Sequence, residues 1–226
     1  MYEYRIQFSK LAQVRYLSHL ELVKVFERAL RRAQIPMVYS EGFHPHPKMS
    51  FGPALAVGLM SVAEYFDLDL TEEFRPETLI TRLNDALPSG LEVTAACWLK
   101  NQEKPLNAWL NRAAYSVELK TDVATIDETA AAFEELPTRT AIWVSRTNKK
   151  GTKTVDIRPW LYSVNTKIIA ANRLQVSFIV EIGSRGNIRP EELLDLVTHP
   201  VEVLNIVRVG LWHEQDGLVK KPLDFC

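Results

Sequence analysis

What is scarce in this chain excludes several classes of protein at once. Only two cysteines occur in 226 residues, Cys97 and Cys226. They show neither the close spacing of a metal or redox centre nor the count of a disulfide framework. Their wide separation argues against a structural disulfide, which suits a reducing cytoplasm. Long apolar runs are missing too: none approaches the roughly 18 residues that a membrane span requires. Met1-Tyr2-Glu3-Tyr4-Arg5 opens without the apolar region of a signal peptide. The expectation is a soluble, cytoplasmic protein with no membrane contact.

Catalytic signatures are also lacking. There is no HExxH, no GxSxG, and no glycine-rich phosphate loop; Gly183-Ser184-Arg185-Gly186 fits neither a Walker nor a Rossmann spacing. An excess of one charge is absent overall, because 27 Lys and Arg face 28 Asp and Glu. The distribution is uneven, however. Residues 1–52 hold eight basic against four acidic residues, and residues 139–173 hold eight basic against Asp156 alone. Two basic segments in a neutral chain suggest local anion-binding surfaces.

What is present begins with Gly42-Phe43-His44-Pro45-His46-Pro47-Lys48. Pro45 and Pro47 fix φ, remove two backbone donors, and push His44 and His46 toward extended geometry. This gives a stiff ribbon that cannot be a central strand and that carries two imidazoles and an ammonium. Rigid loops of this kind concentrate function.

Periodicity supplies the frame. Tyr2, Tyr4, Ile6 and Phe8 alternate with polar residues as in a half-buried strand. Ser18-His19-Leu20-Glu21 forms a capping box, with Leu17 and Leu22 placed as its hydrophobic staple. Leu22, Phe26, Ala29, Leu30 and Ala33 make the apolar stripe of the helix that follows. A short strand at 37–39, a strand at 64–70, a helix at 75–87 and a strand at 91–95 complete the order β-α-β-β-α-β. The second half repeats it loosely, with strands at 115–120, 141–144, 173–182 and 203–212 and helices at 126–136 and 190–197. The expected fold class is α+β, two tandem ferredoxin-like (βαββαβ) halves with antiparallel sheets. Residues 1–100 form the first domain with the His-Pro loop, 101–114 a linker, and 115–226 a second domain with a basic hairpin.

The chemistry these residues fit best is RNA binding. Lys24, Arg28, Arg31 and Arg32 fall on the polar side of the first helix, one strand from His44, His46 and Lys48. Arg15 and Tyr16 immediately precede the helix N-terminus, with His19 in its first turn. Tyr39 and Phe43 could offer stacking faces for unpaired bases, although the core is the plainer expectation for Phe43. A second cluster, Lys149, Lys150, Lys153 and Arg158, surrounds a hairpin, and Arg158-Pro159-Trp160 either clamps a ligand or packs internally. A zinc site at His44 and His46 would need a further ligand such as His19, and surface histidines are the simpler reading.

Three segments together resemble one bacterial family. They are Arg15-Tyr16-Leu17-Ser18-His19-Leu20-Glu21-Leu22, Phe26-Glu27-Arg28-Ala29-Leu30-Arg31-Arg32-Ala33, and Tyr39-Ser40-Glu41-Gly42-Phe43-His44-Pro45-His46-Pro47-Lys48. Val57-Gly58, Ser61, Glu64-Tyr65 and Val155-Asp156-Ile157-Arg158-Pro159 continue the likeness, which covers most of the chain. The family is the radical SAM-linked protein family, a domain of unknown function found alone or fused behind a cobalamin-binding radical SAM protein. It commonly carries Asn where His44 stands; His19 and His46 match its pattern. A radical SAM enzyme needs three cysteines on its cluster, and this chain has two in total. The resemblance therefore implies a non-catalytic companion that recognises substrate, with no cofactor of its own. S-adenosylmethionine, an iron–sulfur cluster and cobalamin are expected only on a partner radical SAM enzyme, with RNA (tRNA or rRNA) as the substrate. The alternatives are a metal-independent RNA endonuclease using His19 or His46 as general acid or base, and an adaptor that binds only protein.

Overall fold

The computed structural model describes residues 1–100, 104–148 and 151–226. It is a mixed α+β structure in which strands predominate and pair mostly antiparallel. Two compact units are present. One comprises Met1–Leu110 together with Leu211–Cys226, and the other Asn111–Gly210.

In the first unit β1 (Tyr2–Lys10) is followed by α1 (His19–Arg32), β2 (Met49–Phe51), β3 (Met60–Leu70), α2 (Pro76–Ala86) and β4 (Leu91–Leu99). β1 lies between β4 and β3, and β2 adds to β3. The alternation in β1 does what period two requires: Tyr4, Ile6 and Phe8 are buried. They pack with Leu22, Phe26, Ala29 and Leu30 of α1 and Leu79 and Leu83 of α2. Phe8, Phe26, Phe51 and Phe66 form an aromatic cluster, with ring centroids 4.8 Å apart for Phe8–Phe26 and Phe26–Phe66.

The capping box forms as its residues dictate. Ser18 Oγ accepts from the Glu21 N–H, and the Ser18 N–H donates to Glu21 Oε2 at 2.8 Å. The Ser18 hydroxyl, donating to Glu21 Oε2 at 2.7 Å, and the Ser18 N–H together hold the Glu21 carboxyl below the usual carboxylate range. The expected strand at 37–39 reduces to two isolated bridges, Met37 to Leu70 and Tyr39 to Pro47.

Other expectations need correcting. The described part of 101–114 packs: α3 (Leu106–Trp109) buries Leu106, Leu110 is buried after it, and β5 (Arg112–Thr121) follows. Residues 211–226 do not belong with the second half, since they return to the first unit. There the buried Arg5 guanidinium grips Asp67 with two hydrogen bonds, Nε to Oδ1 at 2.8 Å and Nη2 to Oδ2 at 3.0 Å. Its Nη1 donates to the Pro222 carbonyl at 3.1 Å. Burial pushes the Asp67 carboxyl up, and the Arg5 fork offsets part of that push. The same docking brings Cys226 to Cys97, with Cα atoms 5.6 Å apart, and the two are disulfide-bonded. Separation in sequence said nothing of this, because the C-terminal turn is anchored by Arg5, the cross-strand neighbour of Cys97.

In the second unit β5 is followed by α4 (Ile126–Glu134), β6 (Trp143–Asn148), β7 (Gly151–Asp156), β8 (Leu161–Ala170), β9 (Arg173–Glu181) and α5 (Pro190–Leu194). β10 (Val201–Gln215) begins in this unit and ends in the first, where β11 (Leu218–Lys220) pairs with it. β9 lies between β5 and β8, and β6 and β7 form a separate two-stranded sheet. Among the described residues no helix is long and apolar enough to cross a membrane.

Candidate nucleic-acid interface

The His-Pro loop is built by hydrogen bonds at its base rather than by packing at its tip. The Lys48 N–H donates to the Val38 carbonyl and the Ser40 N–H to the His46 carbonyl, each at 2.8 Å. The His46 N–H returns to Ser40 Oγ at 3.0 Å. With Pro45 and Pro47 these contacts fix an extended hairpin-like excursion whose reversal uses Gly42 at φ +117°, a conformation that side chains resist. Pro47 is the one buried residue in the stretch 41–48.

At the tip Phe43 is fully exposed, at 102% relative accessibility. The expectation of a core residue is therefore wrong: no apolar surface folds over the loop, so its ring stands in water. His44, His46 and Lys48 are exposed beside it, and Tyr39 is 39% exposed at the base.

The loop meets α1 at one point. His46 Nδ1 lies 3.7 Å from Glu27 Oε1. On a helix Glu27 is flanked by residues three and four away, here Lys24 and Arg31, both exposed, with Arg28 exposed on the adjoining face. The imidazole-bearing segment and three of the four helix cations thus share one solvent-facing side of the first unit. Glu27, which sequence reasoning passed over, is the hinge of that arrangement; its position one residue before Arg28 was the available signal.

Arg32 does not join them. Its Nη2 donates to the carbonyl of Ala86, the last residue of α2. It caps a helix end whose carbonyls would otherwise lack partners. Arg15 is turned onto its neighbour, with Nη2 donating to the Tyr16 hydroxyl at 2.8 Å and the guanidinium 4.8 Å from the ring centroid. The Tyr16 ring remains 67% exposed.

His19 sits elsewhere, edge-on to Phe51 with centroids 5.5 Å apart. It lines a small cavity with Lys10, Glu64, Tyr65 and the apolar pair Leu17 and Leu22. Lys10 is buried, and its ammonium donates to the Arg15 carbonyl at 3.0 Å and the Leu17 carbonyl at 2.8 Å. Burial pushes the Tyr65 phenol up to about 12, with Glu64 and Asp224 adding to the shift. A buried lysine and glutamate at a strand end escaped sequence reasoning, since nothing in Ser9-Lys10 or Ala63-Glu64 distinguishes them from solvated charges.

The second basic cluster is described only in part. Lys149 and Lys150 lie outside the described residues. Lys153 is exposed on β7, opposite Arg146. Arg158 packs internally: its guanidinium donates to the carbonyls of Arg139 (3.0 Å), Leu161 (2.9 Å) and Pro137. Arg146 is likewise held by Glu192 and Asn187. Among the described residues no three His, Cys, Asp or Glu side chains gather as metal ligands, and His46 faces Glu27 alone.

One family model, described as an uncharacterized protein conserved in bacteria (DUF2344), matches residues 3–190. No curated protein matches. Among solved structures, a chain from the crystal structure of a Cbf5-Nop10-Gar1 complex is similar, with a TM-score of 0.52 at 13% identity. The match covers 92% of this chain and 48% of that one, so this chain spans about half of the similar chain's length. At that identity the likeness is one of fold.

Proposed function

The chain belongs to this bacterial family, DUF2344, and we propose that within it the chain is a non-catalytic RNA-recognition component. Its first unit would hold a single-stranded segment of tRNA or rRNA while a partner modifies it. The observation that carries the reading is the exposed Phe43 ring, flanked by His44, His46 and Lys48 and set beside Lys24, Arg28 and Arg31. Unpaired bases need an aromatic face to stack on and cations for the adjoining phosphates. The strand order within each unit supports a tandem ferredoxin-like description, an arrangement suited to such a platform.

The partner in this proposal is a radical SAM enzyme, as the resemblance of the 15–48 segments implies. That enzyme would supply S-adenosylmethionine, the iron–sulfur cluster and cobalamin. Both cysteines of this chain are taken up in one disulfide, which favours chemistry residing on the partner. The similar chain comes from a Cbf5-Nop10-Gar1 complex, which fits a fold used inside assemblies. Pull-down of the full chain from native bacterial lysate, with sequencing of bound RNA and identification of bound proteins, tests both halves. A discrete RNA set with a radical SAM enzyme is expected. Protein partners without RNA would replace this reading with a protein-only adaptor.

One observation favours a second reading, an RNA endonuclease. His19 shares its cavity with buried Lys10 and Glu64, a grouping from which a general acid or base can be drawn. Cleavage of a labelled RNA pool that His19→Ala abolishes would establish it, and absence of turnover across such a pool would remove it.

A further inference from the structure

A second concave feature of the first unit lies outside the loop and helix. It is a cleft of about 420 Å³ lined by α3, the β10–β11 hairpin and the C-terminal turn. Its aromatic wall is preassembled. Trp109 and His213 stack with centroids 5.2 Å apart and planes 23° apart, and Phe225 meets Trp109 edge-on at 5.1 Å. The stack is pinned by a hydrogen bond of 2.6 Å between His213 Nδ1 and the Trp109 carbonyl. A carbonyl only accepts, so Nδ1 carries the hydrogen, and Nε2 has no hydrogen-bond partner among the described residues. Phe225 precedes the disulfide-bonded Cys226, which fixes that side of the wall.

The rim is cationic. Lys104 and Lys220 both line the cleft, with the Lys220 ammonium 5.8 Å from the Phe225 ring centroid. Among the described residues neither lies in an ion pair. Asp216, also on the rim, adds an acceptor. Flat rings, two ammonium groups and one carboxylate match a planar heteroaromatic ring that carries an amino edge and an anionic tail. We infer that this cleft is a nucleotide site: the base lies against the Trp109–His213–Phe225 wall and the phosphate meets Lys104 and Lys220. That chemistry is shared by a free mononucleotide and by one unpaired nucleotide of an RNA, and in the second case the inference rests on the RNA reading above.

The test is a titration of the full chain, read by tryptophan fluorescence, with AMP, UMP, adenosine and a short oligouridylate. Saturable binding of a mononucleotide is expected, weaker for adenosine, which lacks the phosphate. Lys104→Glu with Lys220→Glu, two exposed positions that leave the core untouched, should abolish it. Trp109→Ala should weaken it roughly tenfold, in keeping with the loss of one stacking partner, and Trp109→Phe should restore part of the affinity. If the oligonucleotide binds much more tightly than UMP, and Arg28→Glu with Arg31→Glu removes only that excess, the occupant is a nucleotide of bound RNA. If the two bind alike, it is a free nucleotide. Absence of saturation at millimolar mononucleotide, or binding that survives the double lysine variant, overturns the inference while leaving the loop–helix reading untouched.

Discussion

At Phe43 an aromatic ring stands in water at the end of a loop stiffened by two prolines and tied at its base. A ring that packs against nothing contributes little to folding, so Phe43→Ala should shift stability by less than about 0.5 kcal/mol. The same substitution should weaken single-stranded RNA binding by about 1–3 kcal/mol, the usual worth of one base stack. Thermal melts and fluorescence anisotropy on one preparation check both halves. Tyr65 makes the opposite case. Its phenol is held up to about 12, chiefly by burial, from an ordinary value of 10.0. The native state keeps a proton that the unfolded chain releases, so stability is full below pH 10 and falls as pH rises toward 12. Tyr65→Phe should flatten that decline in a series of melting temperatures against pH.

Among elements, α1 carries two tasks on its two ends and flanks. Its start was legible in the sequence, because a capping box is a local pattern that Ser18 and Glu21 satisfy by themselves. The polar side was legible as charge but not as role. Arg28 and Arg31 are exposed, whereas Arg32 reaches the Ala86 carbonyl of α2, a contact 54 residues away that no local pattern encodes. Arg32→Ala should therefore cost roughly 1 kcal/mol of stability and leave most RNA affinity in place. Arg28→Glu with Arg31→Glu should do the reverse. Circular dichroism melts beside binding isotherms separate the two. Arg158 teaches the same lesson, since its three carbonyl partners come together only in the folded chain. Several strands followed from alternation, but β8 (Leu161–Ala170) was not among them, and β3 and β4 extend beyond the alternating stretch where neighbouring strands supply hydrogen bonds.

For the whole molecule, the α+β class was readable, while β8 in the second half and the chain return were not. Residues 211–226 close the first unit through Pro222, Phe225 and Cys226, and nothing in their composition announces a partner 129 residues upstream. Truncation after Gly210 would strip the Pro222 carbonyl from the buried Arg5, a lost hydrogen bond to a charged group worth about 1.5–3 kcal/mol. The truncated chain should melt well below the full one, and an unchanged melting temperature would show that the C-terminal segment is only an appendage. The central claim is that the loop and α1 act as one anion-binding surface, and the salt dependence of RNA affinity tests it most directly. Contacts from Lys24, Arg28, Arg31 and Lys48 should give a slope of log K against log salt of about −3, at roughly −0.7 for each phosphate on a single strand. That slope should collapse when the four are replaced by glutamine in a chain that still folds. Affinity indifferent to salt, or a slope unchanged in the substituted protein, would contradict the account.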